Sequence, residues 1–109
     1  MELEMLNKVD LILTEIFAER ERQHDKFGIQ DHPNGTREEF REVSAEMREL
    51  CDSNFKIGKG TWLNIFFEEV YEVACETNVK NLRIELIQVA AVSCAWIESI
   101  DRIKDVSET

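Results

Sequence analysis

A single proline, Pro33, and four glycines stand in 109 residues, so little in this chain interrupts long regular elements. No stretch alternates apolar and polar residues with period two, which excludes a half-buried sheet. Bases are also scarce: 13 Lys and Arg face 23 Asp and Glu, for a formal net charge of −10. That balance argues against a nucleic-acid polymer or an anionic membrane as the main partner. The three cysteines, Cys51, Cys75 and Cys94, are odd in number and lack CxxC spacing. They read as reduced structural thiols in a cytoplasmic setting. The opening Met1-Glu2-Leu3-Glu4 is acidic, unlike a signal peptide. The longest apolar run, around Leu86 to Ile97, is broken by Gln88 and Ser93 and is too short to span a bilayer.

What remains is helical periodicity, over a length that suits one domain, 1–109. A first helix is expected over about residues 3–25, with Met5, Val9, Ile12, Leu13 and Ile16 on its inward stripe. The same stripe projects forward onto Arg20, Gln23 and Phe27. Pro33-Asn34-Gly35 then marks a turn, in a loop that carries His32. Thr36-Arg37-Glu38-Glu39 reads as a capping box opening a second helix, whose stripe is Phe40, Val43, Met47, Leu50 and Cys51. Glu38, Glu39, Arg41, Glu42, Arg48 and Glu49 fall on the outward side, and this helix reads as scaffold. A break over Asp52 to Gly60 follows. Its Gly58-Lys59-Gly60 has no preceding strand and no Walker pattern, so it reads as a linker.

The third and fourth helices place carboxylates where core residues belong. After a Thr61 cap, Trp62, Ile65, Phe66, Val70 and Val73 share a face, with Glu69 in its middle and Glu72 and Glu76 on its edge. A break near Asn78 leads to a last helix, capped by Asn78 or Asn81, on which Leu82, Val89, Val92, Trp96 and Ile100 align. Glu85 lies at the centre of that face and Gln88 one turn on. An isolated ionised carboxylate in an apolar setting is strongly penalised. Several on two inward faces therefore need a shared positive partner, and a hard divalent cation is the simplest. The competing explanation is a set of ion pairs with Arg20, Lys26 or Arg83 and no ion at all.

These acids also carry a resemblance. Glu68-Glu69-Val70-Tyr71-Glu72 followed by Glu85-Leu86-Ile87-Gln88 resembles the EExxE…ExxD signature of the MazG-like, all-α nucleoside triphosphate pyrophosphohydrolases. Twelve residues separate Glu72 from Glu85, as in the helix-turn-helix of that group. The segment from Glu21 to Pro33 is similar to one that precedes the acidic motif in small phage and bacterial members. The resemblance implies cleavage of a triphosphate between its α and β phosphates, giving a monophosphate and pyrophosphate with Mg²⁺, or with Mn²⁺ in its place. Carried over by position, Glu69, Glu72, Glu85 and Gln88 are metal ligands, and Glu68, Glu69 and Glu72 the catalytic acids. Gln88 departs from the signature's Asp: its amide oxygen can coordinate, but it brings no charge and no base. The resemblance places Arg20, Gln23, Lys26 and His32 near the nucleotide.

The architecture expected is an all-α, antiparallel four-helix bundle. Leu86 to Ile97 is apolar almost all round and needs cover on every side, so a second copy is expected to complete the core, in a homodimer or homotetramer. The alternative to an enzyme is a nucleotide-binding, dimerisation or regulatory module of the same fold.

Overall fold

The computed structural model describes the backbone of residues 2–108 and the side chains of residues 2–4 and 6–104. The chain is all-helical: α1 (Glu2–Phe27), α2 (Arg41–Lys56), α3 (Trp62–Cys75) and α4 (Val79–Glu108), with a 3₁₀ turn over Glu38–Phe40 leading into α2. No strand occurs among the described residues. The chain divides into two compact units, Met1–Pro33 with Cys94–Thr109, and Asn34–Ser93.

In the first unit, α1 buries Ile12 to 3 % exposure and half-buries Val9. Leu13 and Ile16, expected on the same stripe, stay 49 % and 38 % exposed, and Met5 lies outside the described side chains. The helix ends where the Gly28 N–H donates to the His24 carbonyl at 2.7 Å. Within this unit a cavity of about 590 Å³ is lined by Leu11, Ile12 and Glu15 of α1 and by Glu98, Asp101 and Arg102 of α4.

The second unit is organised as helical hairpins. Asn54 bonds Asn64, Arg48 bonds Glu72, and Arg41 bonds the Cys75 carbonyl, so position rises along α3 as it falls along α2. The two helices are therefore antiparallel neighbours, as a five-residue connection requires. That connection is an ordered cap rather than the loose linker its glycines suggest. Gly58 N–H donates to Phe55 O at 3.2 Å and Lys59 N–H to Asn54 O at 2.8 Å, the paired bonds of a Schellman end. Gly58 supplies the left-handed residue, with φ of 74°. Two residues on, a Cβ at Gly60 would overlap the Phe55 ring. Gly60→Ala is accordingly expected to cost about 1–3 kcal/mol, read as a lower urea midpoint with an unchanged slope.

Thr61 caps α3 as its sequence predicts: its hydroxyl accepts from Asn64 N–H at 3.1 Å while Asn64 Oδ1 accepts from Thr61 N–H at 3.1 Å. The capping box expected at Thr36 does not form. Arg37 holds the N-cap position of the 3₁₀ turn without a side-chain bond, and its N–H instead donates to the Ala74 carbonyl at 2.9 Å. The last turn of any helix leaves carbonyls without intrahelical donors. Here Arg37 takes one and Arg41 Nη2 takes the next, at Cys75, at 3.4 Å. Arg41 is itself gripped by Glu38 through bonds of 2.8 and 3.0 Å. The start of α2 thus seals the end of α3, and Ser44, Cys51 and Cys75 are buried in the same unit.

The chain leaves α3 at Glu76, which has extended backbone (φ −87°, ψ 113°). Glu76 therefore does not continue the α3 face as its spacing suggests; its carboxylate accepts from Asn78 N–H at 3.1 Å. Asn78 then caps α4, its side chain accepting from Asn81 N–H at 3.0 Å. Leu82, at 6 % exposure, anchors the first part of α4.

Candidate metal site of the second unit

The spacing on α3 puts Glu69 and Glu72 one turn apart on the face that meets α4, and the short turn over residues 76–78 brings Glu85 to the same place. One carboxylate oxygen from each of Glu69, Glu72 and Glu85 lies within 4.8 Å of the other two. Oxygens on opposite sides of an ion stand about 4.2 Å apart around Mg²⁺ and about 4.8 Å around Ca²⁺, so the cluster has the span of a hard cation's ligand shell. Glu69 Oε2 and Glu85 Oε2 are buried and accept no hydrogen bond. A buried acceptor with no donor is an unfavourable arrangement unless something positive satisfies it. The donor set fits a divalent cation: three hard carboxylates converge, and two of them carry a buried oxygen without a hydrogen-bond partner.

Electrostatics tell the same story. Burial raises the Glu69 carboxyl above its ordinary value, helped by Glu72, Glu85 and Glu68 and opposed by Arg48. Burial also raises Glu85, with Glu72 and Glu76 adding to it and Arg48 again opposing. Glu69 and Glu85 are therefore more readily protonated than ordinary carboxyls when no cation is held.

Arg48 is the residue that sequence reading misplaces. Assigned to the outward face of a scaffold helix, it instead reaches across to α3, where its Nη2 donates to Glu72 Oε1 at 2.7 Å and its Nε stands 3.8 Å from Glu68 Oε1. One signal was available: Arg48 lies one turn after Ser44 and three residues before Cys51, both buried, so it shares their side of α2. Ser44 is polar and does not enter a stripe drawn from apolar residues alone. Of the bases expected as partners, Arg20 and Lys26 belong to the first unit, and Arg83 pairs with none of the three acids in a hydrogen bond or salt bridge among the described residues. Glu68 is half-buried, and beside it the Cys51 thiol is pushed up to about 11 by burial and by its hydrogen bond to that carboxylate.

Gln88 is exposed, one turn along α4 from Glu85. The four expected nucleotide contacts all belong to the first unit. There, Arg20 Nη1 donates to Gln23 Oε1 at 2.7 Å, Lys26 lies over the Phe27 ring, and His32 is exposed. Trp62 and Trp96 are half-buried. Comparison of the chain with family models, curated proteins and solved structures finds no match.

Proposed function

We propose that this protein is a Mg²⁺-dependent nucleoside triphosphate pyrophosphohydrolase, and that Glu69, Glu72 and Glu85 hold its cation. The observation that carries the reading is the convergence of these acids within 4.8 Å, with two buried oxygens lacking any donor. Their order, EExxE then ExxQ, is the second support. Mg²⁺ bound by these carboxylates would supply charge neutralisation to a triphosphate, and Mn²⁺ would serve through the same oxygens. Glu68, next in sequence to Glu69 but outside the cluster, would accept a proton from the attacking water. Gln88 contributes an amide oxygen or holds a water, where Asp would add charge. Arg20, Gln23, Lys26 and His32 are proposed to meet the nucleotide: the cations its phosphates, Gln23 its base.

A second reading has its own observation. Arg48 on Glu72 and Glu68 is a cross-helix ion-pair network of the kind a purely structural or regulatory helical module uses. One guanidinium does not balance Glu68, Glu69, Glu72 and Glu85, however, and leaves the two orphaned oxygens unexplained. Product analysis separates the readings. Incubating a panel of nucleoside triphosphates with Mg²⁺ is expected to release pyrophosphate and monophosphate. Release of orthophosphate alone, or of nothing, contradicts the proposed activity.

We propose further that the helices form an antiparallel bundle completed by a second copy, working in the cytoplasm as a homodimer or homotetramer. Among the described residues only Ile12, Cys51, Cys75 and Leu82 are buried apolar side chains. Leu86 and Ile87, in the run that demands cover, remain 50 % and 57 % exposed in the single chain. Light scattering at micromolar concentration is expected to give at least twice the chain mass; a stable monomer there rules the second copy out.

A further inference from the structure

Beside the acid cluster, a cavity of about 220 Å³ is lined by Arg41, Ser44 and Arg48 of α2 and by Glu72, Glu76 and Glu85. It is smaller than the ~300–1,000 Å³ pockets that enclose whole drug-sized ligands. Both arginines are already paired, Arg41 with Glu38 and Arg48 with Glu72 and Glu68, but each keeps N–H donors outside those bonds. Arg41 spends Nε and Nη2 on Glu38 and the Cys75 carbonyl, leaving its Nη1 donors. Arg48 places only Nη2 in a hydrogen bond. The guanidinium fork matches phosphate oxygens and presents several N–H donors at fixed angles. Two such forks on one small cavity are unexpected in a unit whose other charges there are acidic.

We infer that this cavity is an anion subsite for a phosphate or diphosphate group, with Arg48 as its principal contact and Arg41 as its second. The inference rests on the proposed cation site, because Glu72 and Glu85 belong both to the acid trio and to the cavity wall. Three carboxylates facing the cavity repel an anion while no cation is present. A cation shared by Glu72 and Glu85 removes that repulsion and takes over part of Glu72's pairing with Arg48. Anion and cation binding are therefore positively coupled, and each strengthens the other by the same factor. The acids draw the cation, and the arginines then make the site selective for a doubly bridging, phosphate-like anion. This also accounts for an arginine that a bare metal site would not need.

The test uses the full chain and labelled inorganic pyrophosphate in equilibrium dialysis, with and without Mg²⁺, while Mg²⁺ binding is titrated on the same protein. Pyrophosphate is expected to bind with Mg²⁺ and at least tenfold more weakly without it. Arg48→Gln removes a charge-assisted bond, so it should weaken pyrophosphate binding about 10–100-fold. Its Mg²⁺ affinity should be kept or raised, since a competing cation is gone from Glu72. That retained Mg²⁺ binding also shows that the variant is folded; should it not fold, Arg48→Lys, which keeps the charge and loses the fork, is expected to give an intermediate loss. Mg²⁺ binding with pyrophosphate affinity unchanged in both arginine variants overturns the subsite while the cation site stands. Pyrophosphate binding that is independent of Mg²⁺ overturns the coupling. Absence of Mg²⁺ binding in the unaltered protein overturns this inference and the cation site together.

Discussion

Glu72→Gln is expected to lower pyrophosphate release from a nucleoside triphosphate by at least ~100-fold, the largest effect of any single substitution here. Glu72 is the one acid with three connections: it shares the 4.8 Å cluster, lines the adjoining cavity and takes the 2.7 Å bond from Arg48. Gln keeps the shape and one acceptor oxygen but removes the negative charge that attracts both the cation and the Arg48 guanidinium. The loss should appear in kcat and in kcat/KM alike, because the charge acts where the reacting phosphate develops its own. The helix itself should survive, since Gln has the shape and nearly the helix propensity of Glu. Full activity in Glu72→Gln would remove the acid cluster from the chemistry.

Mg²⁺ is expected to raise the melting temperature of the unaltered protein, and Glu69→Gln to abolish that rise while stabilising the cation-free chain. At a free concentration of about 100 times Kd, binding adds about 2.7 kcal/mol of stability. For a domain of this size that is roughly 10 °C or more. The opposite effect in the cation-free state follows from the raised Glu69 and Glu85 carboxyls. The folded chain binds their protons more tightly than the unfolded chain does. The stability they contribute is thus fully present below the ordinary carboxylate range and is lost as pH rises through their raised values. Cation-free protein should therefore become more stable as pH falls through these raised values toward the ordinary carboxylate range, and Glu69→Gln should flatten that slope. Glu38, held low by Arg41, works in the other direction, but it is fully exposed and adds little. Thermal melts across pH, with and without Mg²⁺, measure all of this in one series. A stability that rises steadily with pH, with no response to Mg²⁺, contradicts it.

Much of the helical layout and of the acid cluster is legible in the sequence. Four helices follow from the apolar spacing and from the scarcity of breakers, and Thr61 and Asn78 announce two of their starts with side chains that can only be useful there. Glu69, Glu72 and Glu85 are legible for a sharper reason: a charge in the middle of an apolar stripe cannot be placed by propensity and must be placed by a partner. The misreadings come from tertiary contacts that override local rules. Thr36 has the sequence of a cap, but the free carbonyls of α3 draw Arg37 and Arg41, and the entry becomes a 3₁₀ turn. Glu76 continues the α3 spacing by count, yet the helix ends one residue earlier. Gly58 and Gly60 look like slack and are instead a left-handed cap and a ring contact. Arg48 is misassigned because the buried side it shares with Ser44 and Cys51 does not show in a stripe drawn from apolar residues alone. Leu13 and Ile16 share the spacing of Val9 and Ile12 but, unlike them, stay exposed.

The most direct measurement of the central claim is Mn²⁺ binding followed by electron paramagnetic resonance, in which free and bound ions give separable signals. The unaltered chain is expected to bind Mn²⁺ saturably and to release it to competing Mg²⁺, while Glu69→Gln and Glu85→Gln each lose that binding. If Mn²⁺ stays free, or if both variants bind it as well as the unaltered chain does, then Glu69, Glu72 and Glu85 do not hold a cation.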